Sequence, residues 1–433
     1  RYRLTMETIR IGLCGVGNVG GEVARRLLSH DSLLNSAAGT ELKLVQIGAR
    51  KGKGAISLDN VDIRTDLRDV VANPDIDVFV ELIGGVDLAY ELVTDALNNG
   101  KHVVTANKAL ISTHGNEIFK LAKEKNLQIG FEASVAGGTP VIKALREGLV
   151  ANEVSWFAGI LNGTSNYILS DMQMNGAQFS EALSKAQNLG LAESDPTLDI
   201  NGTDAAQKAS ILASLAFGVP LDFSNVSFTG IDELELIDLN FATELGYTIK
   251  HIAYGEIENS EVTVSAHPTL VSNESILSQV GKEMNALEIN CKGIGSTVYY
   301  GPGAGPSPTA SAVLADLVDV SKGSLACPEL NKESNVYSKE DKKVFARYFR
   351  LLVKDEPGVI AKISSLFAEN NLSIEALIQH EDRNKSDDIN KVPVVIVSGP
   401  VNDASADKIS KSLIDLDEVD QHLKQYRIHS DKK

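Results

Sequence analysis

Asp204 and Lys208 stand four residues apart in LDINGTDAAQKASIL (198–212). On a helix that spacing sets a carboxylate beside an ammonium group. Ile211, Leu212 and Leu215 would share their face, while Gln207, Ser210 and Ser214 repeat as a separate polar stripe. A lysine kept only for solubility belongs on the polar stripe, and Lys208 is not there. Three readings stay open on this pattern. Asp204 is a helix N-cap, or the two form an exposed ion pair worth about 0.3–0.5 kcal/mol, or they do acid–base work. Just upstream, GLAESDPTLD (190–199) gathers Glu193, Asp195 and Asp199 around an Asp-Pro turn. Those carboxylates are either solvated surface or a seat for a substrate ammonium group, with the lysine handling a proton. Apolar neighbours lower a lysine's pKa and acids raise it.

Gly15-Val16-Gly17-Asn18-Val19-Gly20 matches G-x-G-x-x-G, following the apolar run IRIGLCG and opening the helical pattern GEVARRLL. The first glycine allows a tight turn, the second admits a pyrophosphate, and the third lets helix pack on strand. Asn18 and Val19 fall where the helix N-terminus faces the anion. The run LKLVQIGA then ends in Gly48-Ala49-Arg50-Lys51. An acid there would bond the ribose 2′-hydroxyl of NAD; an arginine suits the 2′-phosphate of NADP. The reading favours NADP with NAD possible, against the alternative of a solvated basic loop. Thr105-Ala106-Asn107-Lys108 closes another strand, at the end where open parallel sheets bind ligands. Lys108 therefore faces cofactor or substrate, or merely starts a helix in water. Glu132-Ala133-Ser134-Val135-Ala136-Gly137-Gly138-Thr139 ends a further strand. Its glycines turn the backbone and expose carbonyls, which suit hard cations, though on chemistry alone it reads as a turn.

These residues need a scaffold. Residues 8–139 alternate apolar runs (IRIGLCG, LKLVQIGA, DVFVELIG, HVVTAN, LQIGFEASVAG) with helical patterns, the mark of a parallel sheet covered on both faces. Residues 140–304 read as an α+β unit. TPVIKALREG, NYILSDMQMNG, FSEALSKAQNLG and TDAAQKASILASLAFG come first, then the strands YTIKHIAYGEIE, EVTVSAHP, ALEINCKG and TVYYG. GPGAGPSPTASAVLADLVDV is a Gly-rich turn leading into a helix, and NKESNVYSKEDKK (331–343) is a polar linker. A strand-helix-strand-strand unit and the helix SADKISKSLIDL follow. The 433 residues suggest two to four domains. RYRLT, before Met6, is set aside from the fold. A net charge of −17 argues against nucleic acid, and no apolar run is long enough to span a bilayer. Cys14, Cys291 and Cys327 are too few and too scattered for a disulfide framework or a zinc site, so a reducing cytoplasmic setting is expected. Cys14 itself reads as a small buried apolar residue.

Taken together, GVGNVG, TANKALIS, GLAESDPTLDINGTDAAQKASILA and GPGAGPSPTASAVLADL resemble homoserine dehydrogenase over roughly residues 8–325. The tail, with Phe349-Arg350-Leu351 leading into Asp355-Glu356-Pro357-Gly358-Val359, resembles an ACT domain. No kinase-like segment precedes the glycine loop, so the likeness is to the monofunctional form rather than the aspartokinase fusion. The resemblance implies an α/β protein with three parts: a Rossmann-type NAD(P)-binding domain (6–139 plus 305–330), an α+β catalytic and dimerisation domain (140–304) and, after the linker, a ferredoxin-like ACT regulatory domain (344–433). It implies interconversion of L-homoserine and L-aspartate 4-semialdehyde with NAD(P), on the route to threonine, methionine and isoleucine. Lys208 matches the family's catalytic lysine, Asp204 and Glu193 the acids holding the substrate's amino end, and Lys108 a second active-site lysine. Gly305 matches a glycine touching the cofactor. Glu132, Val135, Gly137 and Thr139 match positions that ligate a monovalent cation, sodium or potassium, mostly through main-chain oxygens.

In the ACT-like tail, Asp355, Pro357 and Gly358 supply the loop where such modules often bind an amino acid such as threonine, with helix amides to receive its carboxylate. The alternative is a dimerisation module that has lost ligand binding. A homodimer or homotetramer is expected. Two rivals stand beside the leading reading. One is a different NAD(P)-dependent semialdehyde or amino-acid dehydrogenase, which the second-domain motif argues against. The other is a catalytically inactive amino-acid-sensing ACT protein, which would lack the active lysine, yet Lys208 and Lys108 are both present.

Overall fold

The computed structural model describes residues 8–29, 31–49, 61–325, 328, 330, 335–338, 343–380 and 391–429. Six strands open the chain: β1 (Thr8–Cys14), β2 (Glu41–Gly48), β3 (Asp62–Arg64), β4 (Val78–Glu81), β5 (His102–Thr105) and β6 (Ile129–Gly130). All pair in parallel, in the order β3-β2-β1-β4-β5-β6. This is the doubly wound dinucleotide-binding order, in which ligands lie beyond the carboxyl ends of the strands. The central strands are covered on both faces, so Val78, Phe79, Val80 and even Glu81 are buried.

The expected strand LQIGFEASVAG is far shorter than its apolar run. After Gly130 the backbone tightens into a 3-10 turn, Glu132–Ser134, then reverses through Ala136 (φ 53°) and Gly137 (φ 33°). Pairing stops there because side chains claim the backbone groups. Glu132 N donates to the buried Asp316 carboxylate (2.9 Å), and the Glu132 carboxylate receives Ile142 N (3.0 Å) and Lys143 N (2.7 Å). TPVIKALREG, expected as a helix, is one helical turn (Val141–Lys143) running into a wider turn (Ala144–Gly148).

The helix Pro306–Lys322 returns to the first sheet. Ala310, Val313, Leu314, Leu317 and Val320 share one core with Ile9, Ile11, Leu13, Val23 and Leu27.

The second sheet has eleven strands: β7 (Val154–Ile160), β8 (Val226–Phe228), β9 (Tyr247–Glu258), β10 (Glu261–Ser272), β11 (Met284–Cys291), β12 (Gly295–Pro302), β13 (Val336–Tyr337), β14 (Phe345–Lys354), β15 (Ile374–Gln379), β16 (Lys391–Val401) and β17 (Lys424–His429). β9 fills one edge of β10. The other edge is divided among β13 at 261–262, β8 at 264–266 and β17 at 269–271, all parallel to it. β14, β15, β16 and β17 with helices Val359–Glu369 and Asp403–Ile414 form the βαββαβ tail, centred on Phe349, Leu351, Ile363, Phe367, Ile396 and Leu413. Through β17 the tail and the second unit form one continuous sheet. Part of the expected linker is ordered by that edge: Tyr337 donates its hydroxyl to Pro220 O (2.9 Å) and Asn335 its amide to Phe217 O (2.6 Å).

Candidate active site

The helix Thr203–Phe217 carries Asp204 and Lys208. Gly202 (φ 88°) is its N-cap, which makes Asp204 the second helical residue rather than the cap. Ser210 and Ser214 are as buried as Ile211 and Leu212, so no solvent stripe exists. The helix is wedged between β9 and β10 on one side and the helix Lys108–Lys125 on the other. What sequence periodicity offers as a wet face is packed against a neighbour.

Asp204 is 4% exposed and Lys208 8%. Lys208 Nζ donates to Asp204 Oδ2 (2.8 Å) and to Leu161 O (2.7 Å). Lys108 Nζ reaches Asp204 Oδ1 at 3.0 Å. Asn162 Nδ2 donates to Asp204 Oδ2 and to Asp199 Oδ1, both at 2.8 Å. Burial alone would raise the Asp204 pKa, but Lys208, Lys108 and Asn162 outweigh it and hold the carboxyl well below its ordinary range. Asp204 raises the Lys108 pKa against desolvation, with smaller help from Asp199 and Glu193. Asp199 moves upward, through burial and the neighbouring Asp204 charge. Glu193 is exposed, and its main-chain oxygen accepts Gln187 Nε2 (3.1 Å). An ammonium has three donors. Lys208 uses two on Asp204 and Leu161 among the described residues, which leaves one uncommitted there.

Lys108 is positioned by the strand end that precedes it. Asn107 caps its helix by accepting Leu110 N (3.0 Å), and donates its amide to Gly85 O (2.6 Å). Thr105 donates its hydroxyl to the buried Glu81 (2.6 Å) and accepts Asn107 N (3.0 Å). Glu81 also receives Ile83 N (2.8 Å) and Gly84 N (3.2 Å), fixing the loop beyond β4. The Thr105 side chain is therefore spent inward, and only its backbone is left for a cofactor.

The glycine loop has the stated geometry. Gly15 takes φ 97°, and a Cβ there would stand 2.4 Å from Leu82 O. At Gly20 a Cβ would meet Gly15 O at 1.8 Å. Gly17 faces open space at the N-cap of the helix Asn18–Leu28, where an added Cβ would meet nothing within 4 Å. Asn18 is exposed and Val19 half-buried at that helix start. Arg50 and Lys51 lie outside the described residues.

Two glycine-rich segments far apart in sequence meet beside this site. Gly138 N donates to Pro302 O (3.0 Å), and a Cβ on Gly137 would touch Gly303 O at 2.8 Å. Gly305 (φ 111°) caps the returning helix two residues on. In the 132–139 turn, Val135 and Gly137 are buried, and the buried Thr139 hydroxyl has no hydrogen-bond partner among the described residues. Burial pushes the Glu132 carboxyl up to about 7 against its two backbone donors. An unpartnered hydroxyl in a left-handed turn, with an oxygen-only donor set, fits a hard monovalent cation.

Sequence reading missed Asn162, His251 and Asn285. Asn162 caps the helix Gly163–Asn175 by accepting Ser165 N (2.7 Å). The Asn-Gly-Thr-Ser order is a cap signal, but it carries no hint that the amide also spans Asp199 and Asp204. His251 is buried and its Nε2 donates to Thr229 O (2.9 Å). Asn285, 1% exposed, has neither amide atom partnered among the described residues, and abuts Gly303. In the ACT-like tail, Asp355, Pro357 and Gly358 lie together in an exposed loop, with Gly358 (φ 94°) capping the helix Val359–Glu369.

A doubly wound dinucleotide sheet, joined at its carboxyl edge to a Lys–Asp–Lys cluster in which Asp204 and Lys208 are buried and Lys108 half-buried, defines a nicotinamide-dependent oxidoreductase. Family models agree: homoserine dehydrogenase, NAD binding domain, matches residues 15–132; homoserine dehydrogenase matches 140–318; ACT domain matches 347–415. The chain is 44% identical to the homoserine dehydrogenase of Pseudomonas aeruginosa, over 93% of this chain and 95% of that one. A crystal structure of a homoserine dehydrogenase from Thiobacillus denitrificans superposes with a TM-score of 0.91 at 39% identity, covering 98% of this chain and 99% of that one. A hyperthermophilic archaeal homoserine dehydrogenase in complex with NADPH aligns with a TM-score of 0.62 at 27% identity, over 72% of this chain and 97% of that one. The chain belongs to the homoserine dehydrogenase family, as an NAD(P)-dependent oxidoreductase with a C-terminal ACT domain. Among the described residues no helix is long and apolar enough to cross a membrane.

Proposed function

We propose that the Lys108–Asp204–Lys208 cluster is the catalytic centre for interconverting L-homoserine and L-aspartate 4-semialdehyde. The observation that carries this is the buried Lys208 ammonium, with two donors committed and one open. In the reducing direction Lys208 donates a proton to the aldehyde oxygen, directly or through water, and takes it back in the reverse direction. Asp204 keeps Lys208 and Lys108 in register and, with Glu193, receives the substrate ammonium. Lys108 stands on the cofactor side of that carboxylate. The bound nicotinamide supplies or accepts the hydride.

Gly15, Gly17, Asn18, Val19 and Gly20 hold the pyrophosphate, with Thr105 and Gly305 contacting the cofactor through their backbone. NADP is the preferred form, held by Arg50; the NADPH complex of the archaeal relative supports this. Glu132, Val135, Gly137 and Thr139 hold sodium or potassium, which braces the junction with the GPGAG turn. The working units are 6–139 plus 305–330, 140–304 and 344–433, assembled as a homodimer or homotetramer in the cytoplasm. Asp355, Pro357 and Gly358 form an effector loop for threonine or another pathway amino acid.

Homoserine with NADP or NAD, followed at the nicotinamide absorbance against homoserine-free controls, tests the reading. Homoserine-dependent reduction faster with NADP is expected; no homoserine-dependent signal with either cofactor overturns it.

A further inference from the structure

We infer that Asn162 is a positioning residue for the homoserine reaction: its amide clamps the Asp199 carboxylate beside that of Asp204, so that two carboxylates rather than one meet the ammonium group the substrate brings. This rests on the catalytic reading above. Asn162 is buried where β7 gives way to the helix Gly163–Asn175. A side-chain amide offers one oxygen and two N–H donors, and all are committed. Its Oδ1 accepts Ser165 N at 2.7 Å and caps the helix. Its Nδ2 donates to Asp199 Oδ1 and to Asp204 Oδ2, both at 2.8 Å. A cap needs only the oxygen. The two N–H groups serve the acids instead. Serine or aspartate would cap the helix about equally well, yet neither carries an NH2 group to span two carboxylates.

The charges show what the second acid does. Asp204 is already divided between two ammonium groups, with Oδ2 on Lys208 Nζ and Oδ1 3.0 Å from Lys108 Nζ. Alone it leaves the cluster positive, a poor seat for a further ammonium. Glu193 is exposed, where water weakens its pull. With Asp199 ionised, two carboxylates balance the two lysines before substrate arrives. Burial and the Asp204 charge push the Asp199 pKa up, and the Asn162 amide opposes them, with Lys208 and Lys108 adding to it. These are the charged groups facing Asp199 from the helices Thr203–Phe217 and Lys108–Lys125. The helix Gly163–Asn175 gives it only the Ser165 hydroxyl, which donates to Asp199 O (2.9 Å); the acid of that helix, Asp171, pairs with Lys185. His251 lies against Gly202, and burial lowers its pKa. On the segment of Asp199 itself, Asp195 is exposed and takes the Thr197 hydroxyl (2.6 Å). The Asn162 amide is thus the one neutral group that bonds both acids among the described residues.

The test uses the full chain with NADPH bound, since reduced cofactor and homoserine exchange no hydride. Homoserine is titrated by calorimetry from pH 5 to pH 8.5. Wild-type affinity should fall on the acid side, as Asp199 takes up a proton. Asn162→Ser keeps a cap and removes the clamp. Its melting temperature should stay near that of wild type, and its affinity at the alkaline end should lie within about threefold. The acid-side fall should begin roughly one pH unit higher, the mark of a tenfold change in proton affinity. Asn162→Asp caps the helix and adds a like charge, so it should move the fall in the same direction; it serves should the first variant not fold. A wild-type affinity independent of pH, a profile unchanged in the variants, or an equal loss at every pH overturns the clamp. Wild-type oxidation of homoserine with NADP is measured in parallel. Its absence would refute the catalytic reading, whereas normal oxidation beside an unchanged variant profile refutes the clamp alone.

Discussion

Asp204 joins two lysines brought from different helices: its Oδ2 receives Lys208 Nζ at 2.8 Å and its Oδ1 lies 3.0 Å from Lys108 Nζ. One buried carboxylate therefore separates two ammonium groups that would otherwise repel. Asp204→Asn removes that charge and should cost about 3–5 kcal/mol in urea unfolding, the usual penalty for breaking a buried ion pair. The pH dependence has a defined sign. The Asp204 pKa is depressed from 3.8, so its stabilisation is complete above that pH and is lost as pH falls toward the lower folded value. The Lys108 pKa is raised from 10.5, so its share is complete below that pH and is lost as pH rises through the folded value. Melting temperature should plateau between those limits in the wild type. The gap between wild type and Asp204→Asn should begin to narrow once pH falls below 3.8 and go on narrowing toward the lower folded value; a gap that stays constant from pH 6 down to pH 2 would contradict the cluster.

Lys208→Ala should lower kcat by about 10²–10⁴-fold, the range for removing a general acid. Gly17 and its neighbours are untouched, so NADPH binding followed by its fluorescence should change less than threefold. A variant with near-normal turnover would sink the assignment of Lys208.

Arg50→Ala addresses cofactor choice. A charge-assisted hydrogen bond to a 2′-phosphate is worth about 1.5–3 kcal/mol, or roughly 10–100-fold in affinity. The KM for NADP should rise by that factor while the KM for NAD stays level. Equal changes for both cofactors would place Arg50 away from the 2′-phosphate.

Much of this was legible in the chain because local chemistry dictates local shape. GVGNVG predicts its turn since only glycine tolerates φ 97° at Gly15 and the 1.8 Å approach at Gly20. The four-residue spacing of Asp204 and Lys208 predicts their contact. What stayed hidden is non-local. Nothing near Asn162 reveals that its amide spans Asp199 and Asp204, which lie 37 and 42 residues away. β7 was missed because VSWFAGI is short and lies among helical stretches; β17 because KQYRIH is polar. Each acquires its place only by pairing, β7 between β11 and β9, β17 between β10 and β14. The serines of the Thr203–Phe217 helix mislead for the same reason: polarity signals water only where no neighbour packs.

The ACT domain is locked to the rest of the chain by Asp238, which is fully buried. Arg350 reaches it with Nε at 2.6 Å and Nη2 at 3.1 Å, and Tyr348 adds its hydroxyl at 3.1 Å. Asp238→Ala leaves the buried Arg350 guanidinium with Glu235, at 3.2 Å, as its remaining carboxylate and should destabilise by about 3–5 kcal/mol. Trp156, the sole tryptophan, lies 6.1 Å from the His429 ring at the same junction. Its fluorescence should report the early loss of docking in urea; a transition unchanged in midpoint would show that Asp238 does not hold the domains together.

The Thr139 hydroxyl decides the cation question. It is buried without a partner among the described residues, a state that costs about 1–3 kcal/mol unless something completes it. A bound sodium or potassium ion would do so, and would add stability in proportion to the logarithm of its concentration above its dissociation constant. Melting is measured in sodium, potassium and tetramethylammonium chloride at equal ionic strength, so that screening is constant. Wild type should melt higher in one of the small cations than in tetramethylammonium. Thr139→Val keeps the volume and removes the oxygen. It should abolish most of that cation-specific shift, yet melt no lower than wild type in tetramethylammonium, because it no longer buries an unpaired hydroxyl. Identical melting of the wild type in all three salts would mean that the 132–139 turn holds no cation, and that its left-handed kink at Ala136 and Gly137 serves only to seat the GPGAG segment.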